Sequence, residues 1–197
     1  MNYLAHAYLS FDEPGILAGN MISDFVKGRK KFDYPDEVRK GIELHRAIDE
    51  FTDNHPATRE AKIFFKPAYG LYAGAFIDIV YDHFLALDPN EFPADTLSVF
   101  ADTTYRQLSL YETVFPEKFG RLFYYMRTQN WLYNYRFRQG ACKGFGGLVQ
   151  RALYLHEHET ACRILEDHYT ELGKGYRDFF PAVKIFARNR LKELQRQ

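Results

Sequence analysis

The sequence is poor in cysteine and carries no excess of either charge. Its two cysteines, Cys142 and Cys162, do not form a CxxC pair, which argues against a disulfide scaffold or a thiolate zinc site and fits a reducing cytoplasm. The 26 basic side chains equal the 26 acidic ones in number, so the whole chain has no bias toward nucleic acid or an anionic membrane. Any charged partner must therefore be bound by a local patch.

The sequence also lacks several segments that would place it in common protein classes. Its first residues show no basic stretch followed by a long apolar run, so we expect no signal peptide. No window approaches the roughly 18 apolar residues that a membrane-spanning helix needs. The glycine run at 144–147 lacks the preceding strand and the Gly-Lys-Ser/Thr ending of a phosphate-binding loop, and no serine has a Gly-x-Ser-x-Gly setting.

Helical periodicity is what the sequence does have, together with 18 Phe and 15 Tyr that suit a large core. Apolar residues recur at helical spacing, and no stretch alternates as a half-buried strand would. We predict an all-α fold, a single-domain helical bundle over residues 1–197, with a break at Lys66 and Pro67. The expected helices cover residues 15–26, 36–53, 56–65, 70–87, 94–112, 116–127, 130–138, 143–166 and 168–194.

Three of these segments carry acids or histidines one turn apart, and such residues share a helix face. His45 and Asp49 form the sharpest pair, because an imidazole and a carboxylate four residues apart can bind one divalent ion together. The acid can instead orient the ring from behind. A surface histidine beside an acid is the alternative without function.

The segment 70–87 is apolar nearly all round, yet it contains Asp78, Asp82 and His83. Such groups are costly to bury unless they are paired or bind a metal. Neighbours on a helix point about 100° apart, so Asp82 and His83 cannot both be ideal ligands of one ion. One would be a ligand and the other a base or an orienting group, and Asp78 would be a ligand or support one.

Asp24, with Asn20 one turn earlier, lies near the end of the first predicted helix, where an acid is unfavourable with the helix dipole. That cost indicates a nearby cation, either a metal or Arg29. His6 lies in a short apolar stretch, where a single histidine is more often a core residue than a ligand. The candidate metal ligands are Asp24, His45, Asp49, Asp82, His6 and Asp78.

This set offers imidazole and carboxylate but no thiolate, which suits Mn²⁺, Mg²⁺ or Fe²⁺ and, less selectively, Zn²⁺. One ion or two would satisfy the pattern. A metal in such a site lowers the pKa of bound water and neutralises charge on a phosphoryl oxygen. Arg46 and Arg59 are candidates to bind phosphate oxygens by forked hydrogen bonds, and pairing with neighbouring acids is their alternative role.

The remaining histidines form no comparable pattern. His156 and His158 are too close together for a helical zinc site of the HExxH kind. His55 and His168 lack ligand-type partners at helical spacing. Trp131 is predicted to be a core residue, with the lining of a pocket as the alternative.

Several stretches of the chain resemble the bacterial acyl carrier protein phosphodiesterase family. The resemblance is carried by MNYLAHAYLSF, GNMISDFVKG, GIELHRAIDEFTDNHPATREA and DIVYDHFLA, and the later NWLYNYR and FFPAV also fit. The likeness covers nearly the whole chain and is strongest over residues 1–90. Each motif is short, and it is their combination that is specific.

The resemblance implies a fold, a metal and a reaction. The family is an all-helical relative of the HD-type metal phosphohydrolases and depends on a divalent cation, with manganese preferred. It removes the 4′-phosphopantetheine arm from holo acyl carrier protein by hydrolysing the phosphodiester to the carrier's serine. Carried onto this chain, the resemblance marks as metal-binding or catalytic Asp24, His45, Asp49, Asp82 and His83, and less directly His6 and Asp78.

We accordingly expect three catalytic residues, His83, Asp82 and Arg46. The proton that the leaving serine oxygen needs would come from protonated His83 or from a second metal-bound water. An acyl carrier protein is a small acidic helical partner, so a basic surface should speed its encounter. The predicted docking and phosphate-binding residues are Lys27, Arg29, Lys30, Lys31 and Arg59. A second candidate patch consists of Arg136, Arg138 and Lys143, and a solvated lysine turn is the alternative to docking.

Two other functions stay open at this point. One is a phosphohydrolase on the same scaffold that acts on a nucleotide or another small phosphoester, which would need no carrier protein. The other is a non-enzymatic helical protein that binds a carrier and whose acids only pair with Arg46 and Arg59. The first predicts activity on small substrates, and the second predicts that no metal is bound.

Overall fold

The computed structural model describes residues 1–196, and within them the chain forms eleven α-helices and no β-strand. The prediction of an all-α fold is confirmed. Short 3₁₀ helices cover Ser23–Phe25, Gly28–Asp33, Gly70–Tyr72 and Glu112–Val114. The α-helices are α1 (Tyr3–Tyr8), α2 (Pro14–Ile22), α3 (Asp36–Asn54), α4 (Pro56–Tyr69), α5 (Ala73–Ala86), α6 (Thr96–Ser109), α7 (Glu117–Thr128), α8 (Trp131–Asn134), α9 (Arg138–Arg151), α10 (Glu159–Asp167) and α11 (Tyr169–Gln195).

Helices α2 and α3 make the closest contact in the fold, and two glycines allow it. A Cβ atom at Gly19 would lie 1.9 Å from the carbonyl oxygen of Val38, and one at Gly41 would lie 2.2 Å from that of Ile16. The two backbones therefore meet without intervening side chains. This contact brings the end of α2 against the middle of α3, where the candidate ligands lie.

The other long helices complete one continuous apolar core. Helix α11 packs along α3 and α4, and α5 packs between α1, α4 and α9. Aromatic rings fill the space between them; the ring centres of Phe76 and Phe145 are 5.3 Å apart, and those of Tyr81 and Phe179 are 5.0 Å apart. Burial of such rings is the main apolar contribution to this fold. The core thereby holds α1 between α2 and α5.

Several predicted helix boundaries are wrong; α8, for example, ends at Asn134 rather than at 138, and α9 begins at Arg138 rather than at 143. Helix α4 continues through Pro67 to Tyr69, because the proline falls in the last turn and the carbonyl that loses its partner belongs to the exposed Ile63. The single helix predicted over 143–166 is two helices, with α9 ending at Arg151 and α10 beginning at Glu159. A continuous helix would carry the second half away from the core at about 1.5 Å per residue, whereas the break lets α10 pack back on α9.

One apolar stretch is longer than expected from the sequence. The 31 residues of Pro56–Ala86 satisfy the length and composition of a membrane-spanning helix, with a mean hydropathy of 1.3 and 39% of the most apolar window buried. The helical core segments of soluble proteins meet the same criterion. Here the chain bends at Gly70, whose φ is +53°, and the stacked rings of Tyr69 and Phe76, with centres 4.0 Å apart, hold α4 against α5.

The two cysteines, expected to suit a reducing compartment, are joined as a disulfide in this structure. Cys142 on α9 and Cys162 on α10 have Cα atoms 5.5 Å apart, a separation within the range that a disulfide spans. The expectation rested on composition alone. It missed the pairing because α10 turns back along α9, and the predicted single helix would have kept the cysteines apart.

Candidate metal centre

Four side chains from three parts of the fold meet near the surface of the α1–α3 region. His6 comes from α1, His45 and Asp49 from α3, and Asp24 from the 3₁₀ helix that follows α2. The spacing of His45 and Asp49 puts both on the face of α3 that is turned to α1 and α2. Both imidazoles are buried, whereas the Asp24 side chain is 67% exposed and that of Asp49 is 39% exposed. The site is therefore a shallow cluster open on its carboxylate side.

The ring nitrogens and the carboxylate oxygens lie within contact distance of one another. Nε2 of His45 is 3.0 Å from Oδ2 of Asp49 and 3.2 Å from Oδ1 of Asp24. Nε2 of His6 is 3.2 Å from Oδ1 of Asp49. The two imidazole rings stack with centres 3.9 Å apart. His6, His45 and Asp49 each offer one ligand atom within a 4.8 Å span, and Asp24 closes the group on the exposed side.

Asn20 fixes the orientation of both imidazoles. Nδ1 of His6 lies 2.8 Å from the side-chain oxygen of Asn20, and Nδ1 of His45 lies 2.8 Å from its main-chain oxygen. Because a carbonyl oxygen only accepts, each Nδ1 carries the proton and donates. The Asn20 amide in turn donates to the carbonyl of His6 and to Ser10. Both Nε2 atoms consequently face the carboxylates, which is how outer partners prepare histidines for a metal.

The electrostatics of the cluster are those of two imidazoles between acids. Burial would lower the pKa of His45, but hydrogen bonds with Asp24 and Asp49 outweigh it and raise that pKa to about 9. Burial and the neighbouring His45 lower the pKa of His6 to about 4. Burial works against ionisation of Asp49, yet the Met1 amino group and the imidazoles hold its pKa below the usual range. The carboxylates are therefore anionic at neutral pH.

These donors fit a divalent cation. With its proton on Nδ1, His6 turns an unshared electron pair toward an Asp49 oxygen 3.2 Å away, and only a cation or a second proton makes that contact favourable. Separations of 3.0 to 3.2 Å between ligand atoms also match adjacent ligands on an octahedral ion with bonds of about 2.1 Å. Within residues 1–196 this is where three such side chains come together.

Asp78 belongs to the edge of the cluster rather than to its ligand group. The amino group of Met1 lies 3.0 Å from Oδ1 of Asp78 and 3.3 Å from Oδ1 of Asp49. Burial, opposed by the Met1 amino group, raises the pKa of Asp78, and the two acids raise the pKa of that amino group to about 11 despite its burial. The structure thus places Asp78 behind Asp49, across an ammonium ion.

The structure does not bring Asp82 or His83 into the cluster. Both oxygens of the buried Asp82 accept from the start of α1, from the amides of Leu4 at 2.7 Å and Ala5 at 3.1 Å. His83 points to the other side of α5, where Nδ1 donates to the carbonyl of Tyr135 and Nε2 accepts from the hydroxyl of Tyr169. Asp82 therefore satisfies helix amides that would otherwise be unpaired, and both nitrogens of His83 are used in packing.

Neither candidate arginine contacts the cluster directly. Arg46 donates to the carbonyl of Val26 at 2.7 Å, so it anchors α3 to the segment that carries Asp24. Arg59 is exposed on α4 and donates to Asn54. In place of phosphate, each arginine binds protein oxygen here. The alternative role, pairing with neighbouring acids, is not observed either, because neither arginine forms an ion pair within residues 1–196.

The predicted basic surface lies directly beside the centre. Lys27, Arg29 and Lys30 are exposed on and before the 3₁₀ helix Gly28–Asp33, a few residues after Asp24. In the described chain these three cations have no ion-pair partner, whereas Lys31 binds Glu43 at 2.7 Å. The exposed ring of Phe32 lies among them. The second predicted patch is partly neutralised; Arg136 pairs with Asp95 and Arg138 with Glu166.

Two elements of the site have weak signals or none in the sequence. Asn20 shares a helical turn with Asp24, but its two-sided role depends on the α2–α3 contact, which spacing does not show. The main-chain amino group of Met1 leaves no side-chain signal at all.

Trp131, predicted to be in the core, instead lines a cavity together with Tyr3 and Tyr135.

The fold and the site together define a class: an all-α protein with a buried histidine pair and two carboxylates at a shallow surface. A model of the family described as acyl carrier protein phosphodiesterase matches residues 1–183, and the chain belongs to this family. Relatives named acyl carrier protein phosphodiesterase include those of Enterobacter sp. (strain 638), 31% identical over 96% of this chain and 99% of the relative, and Klebsiella pneumoniae, 32% identical with the same coverage. No solved protein structure matches the chain.

Proposed function

We propose that this protein is a divalent-cation-dependent phosphodiesterase that removes the 4′-phosphopantetheine arm from holo acyl carrier protein. The observation that supports it most is the convergence of His6, His45, Asp24 and Asp49, with both imidazoles oriented by Asn20. Family membership supplies the substrate, since the relatives carry the name of that activity. The product would be apo acyl carrier protein.

The proposed ligands are His6, His45, Asp24 and Asp49, and the proposed metal is Mn²⁺, with Mg²⁺ or Fe²⁺ as alternatives. Two imidazole nitrogens favour Mn²⁺ or Fe²⁺ over Mg²⁺, which prefers oxygen alone. A bound divalent cation would activate water and neutralise charge on the phosphoryl oxygens. A kinship with the HD-type phosphohydrolases is part of the proposal and rests on the family resemblance of the sequence.

The chain's own residues would orient the reaction. Asn20 keeps both Nε2 atoms turned to the ligand group, and the Met1 amino group holds Asp49 in place. Arg46 fixes the backbone between Asp24 and the basic turn. Because both nitrogens of His83 are bonded elsewhere, the proposal assigns no proton transfer to it.

The proposed docking surface is the basic turn formed by Lys27, Arg29, Lys30 and Phe32. Three cations without ion-pair partners in the described chain can attract an acidic helical protein, and the exposed ring of Phe32 offers apolar contact at the same place. The turn follows Asp24 in the chain, so a docked carrier would have its modified serine beside the cluster. Acyl carrier protein is the proposed partner, in the cytoplasm, and neither nucleic acid nor membrane forms part of the proposal.

The test is mass spectrometry of holo acyl carrier protein incubated with the protein and Mn²⁺, or with a chelator. We expect the phosphopantetheine mass to be lost only with metal, and the loss to disappear in His45→Ala and Asp49→Asn. Asp53→Asn is the matched control, because Asp53 lies one turn further along α3 and pairs with Lys62 instead. An unchanged carrier with folded, metal-loaded protein would overturn the assignment, and hydrolysis of small phosphoesters alone would favour the nucleotide or phosphoester alternative.

A further inference from the structure

A cavity of about 180 Å³ lies at the start of α1, the helix that carries His6 of the candidate metal centre. Its volume is many times the roughly 15 Å³ that one water molecule needs. The walls come from the start of α1, from α8 with the residue that follows it, and from one face of α9. The residues that line it include Tyr3, Trp131, Lys143, Gly147 and Arg151.

Of the three glycines of α9 on the cavity wall, only Gly147 leaves open space, because Gly140 and Gly144 pack closely against Asn134 and Ile79. Gly140, Gly144 and Gly147 recur at helical spacing on the wall of the cavity. A Cβ atom at Gly144 would press on Ile79 at 3.1 Å, whereas a Cβ atom at Gly147 would meet nothing within 4 Å. Glycine in the middle of a helix costs about 1 kcal/mol relative to alanine. Packing therefore does not require a glycine at position 147, and the absence of a side chain there leaves the cavity open.

The cavity combines the groups that a pantetheine chain needs. Trp131 and Tyr3 offer apolar ring surface for its dimethyl group. Asn2 and Asn134 each donate one amide hydrogen bond within the protein, and Gln129 accepts one from Trp131, so only their remaining amide atoms can bind its two amide bonds. Lys143 and Arg151 have no ion-pair partner in the part of the chain through Arg196. Two cations without partners in a cavity wall suit a ligand with a phosphate at one end.

Tyr3 connects this cavity with the metal centre. It lines the cavity, and His6 of the centre lies one turn further along the same short helix. Burial raises the pKa of Tyr3 to about 12, with Arg151 opposing the rise and Asp24 adding to it. The charges of a cavity cation and of an acid of the centre therefore both act on the phenol. Asn2 also lines the cavity, and the amino group of the preceding Met1 lies 3.3 Å from Oδ1 of Asp49.

We propose that this cavity binds the pantetheine chain of the arm during hydrolysis, with Arg151 and Lys143 at its phosphate end. This inference rests on the proposed function and extends it by assigning the arm's position. The carrier would lie on the basic turn, the phosphodiester at the centre and the arm beyond Tyr3. The scissile bond to serine would then face the carrier, and the arm would leave as 4′-phosphopantetheine.

Trp131 makes the proposal directly measurable, because it is the one tryptophan in the sequence. Free 4′-phosphopantetheine should change its fluorescence saturably in the protein without added metal. In Gly147→Leu the added side chain enters the cavity, and we expect the affinity to fall by about 10- to 100-fold, the range that a misfitted binding pocket commonly costs. Gly120→Leu is the matched control, since Gly120 is also helical with nothing within 4 Å but lies on α7.

A second variant keeps the test valid if Gly147→Leu does not fold. Arg151→Gln should weaken binding of 4′-phosphopantetheine but leave binding of pantetheine, which has no phosphate, unchanged. The inference is overturned if the wild type shows no saturable change, if a folded Gly147→Leu variant binds as well as the Gly120→Leu control, or if adenosine monophosphate binds more tightly than 4′-phosphopantetheine.

Hydrolysis separates this inference from the proposed function. With Mn²⁺, Gly147→Leu should lose about 10- to 100-fold in kcat/KM for holo acyl carrier protein yet still cleave bis(p-nitrophenyl) phosphate, which has no arm. Cleavage of the carrier by wild type and variant alike would overturn the cavity assignment and leave the function standing. If the wild type does not cleave the carrier, the function fails, and the fluorescence titration alone decides whether the cavity binds the arm.

Discussion

At the scale of single residues, the centre depends on a side chain that is no ligand. Asn20 accepts from Nδ1 of His6 through its side chain and from Nδ1 of His45 through its backbone. A substitution at position 20 removes only the side-chain contact with His6, because the contact with His45 comes from the main chain. Asn20 is therefore a positioning residue for His6, and substitution there separates ligand orientation from ligand identity.

We expect Asn20→Ala to weaken Mn²⁺ binding by about 10- to 100-fold, the usual cost of losing such a partner of a metal-binding histidine. Ser10→Ala is the matched control. It removes a buried hydroxyl that bonds the His6 carbonyl and the Asn20 amide without touching either ring. Both variants should lose about 1 to 3 kcal/mol of unfolding free energy. Calorimetric titration with Mn²⁺ checks the difference, and equal affinities in the two variants would contradict it.

The pKa of Asp82 predicts how the stability of the protein depends on pH. Burial raises the pKa of Asp82 to about 7, well above the ordinary range of an aspartate, although the hydrogen bonds from the Leu4 and Ala5 amides lower it. Between about pH 4 and pH 7 the folded state then binds more protons than the unfolded state, so this group makes the protein less stable as pH rises. Asp82→Asn removes the contribution. The unfolding free energy of the variant minus that of the wild type should therefore increase from pH 4.5 to pH 7.5.

Urea unfolding of both proteins at several pH values measures this difference. The variant keeps one amide oxygen to accept from α1 but turns an NH₂ group toward the second donor, so it starts from a lower stability at acid pH. Parallel pH profiles for wild type and variant would show that Asp82 does not titrate in this range.

At the scale of helices, the α2–α3 contact sets the distances of the centre. Gly41→Ala would put a methyl group 2.2 Å from the Ile16 carbonyl oxygen, and this backbone cannot move aside without shifting Asn20 away from His45. We expect a loss of about 1 to 3 kcal/mol or more in unfolding free energy, together with weaker metal binding. Gly120→Ala, where nothing lies within 4 Å, should be neutral or slightly stabilising. Equal melting temperatures for the two variants would contradict the argument.

The same contact shows how far the sequence can predict this site. Spacing on one helix predicts that His45 and Asp49 share a face, and they do. Which neighbouring helix supplies the next ligand depends on packing between elements, so spacing alone favoured His83 and Asp82 as strongly as Asp24. Asp82 illustrates the limit, because its buried carboxylate caps a helix 78 residues away in sequence, and no local pattern records that partner.

The prediction of helix boundaries failed for a related reason. Pro67 has the local signature of a break, yet the last turn of α4 tolerates it. The opposite error occurred at 152–158, where the sequence keeps the spacing of a helix but the structure has no helix. The requirement that Ala161 and Leu165 return to the core ends α9, and this requirement is a property of the whole fold.

At the scale of the whole molecule, zero net charge means that the protein as a whole does not attract an acidic carrier, so any attraction comes from a local patch. Orientation must come from the basic turn, where Lys27, Arg29 and Lys30 are exposed without ion-pair partners in the described chain. We expect the triple change of these residues to glutamine to lower kcat/KM for holo acyl carrier protein by about tenfold at low salt and to leave kcat unchanged. The dependence of kcat/KM on salt should flatten, because screening then has less attraction to remove.

The control must change the charge by the same amount elsewhere. Lys118, Arg163 and Lys192 are exposed on α7, α10 and α11 and form no ion pair within residues 1–196. Their triple change to glutamine gives the same net charge as the basic-turn variant, so equal losses in the two would mean that only total charge matters. A loss in kcat for the basic-turn variant would mean that the turn acts on the centre through Asp24 rather than on encounter. Steady-state kinetics at several salt concentrations distinguishes these outcomes, because docking by charge is sensitive to salt and a distorted centre is not.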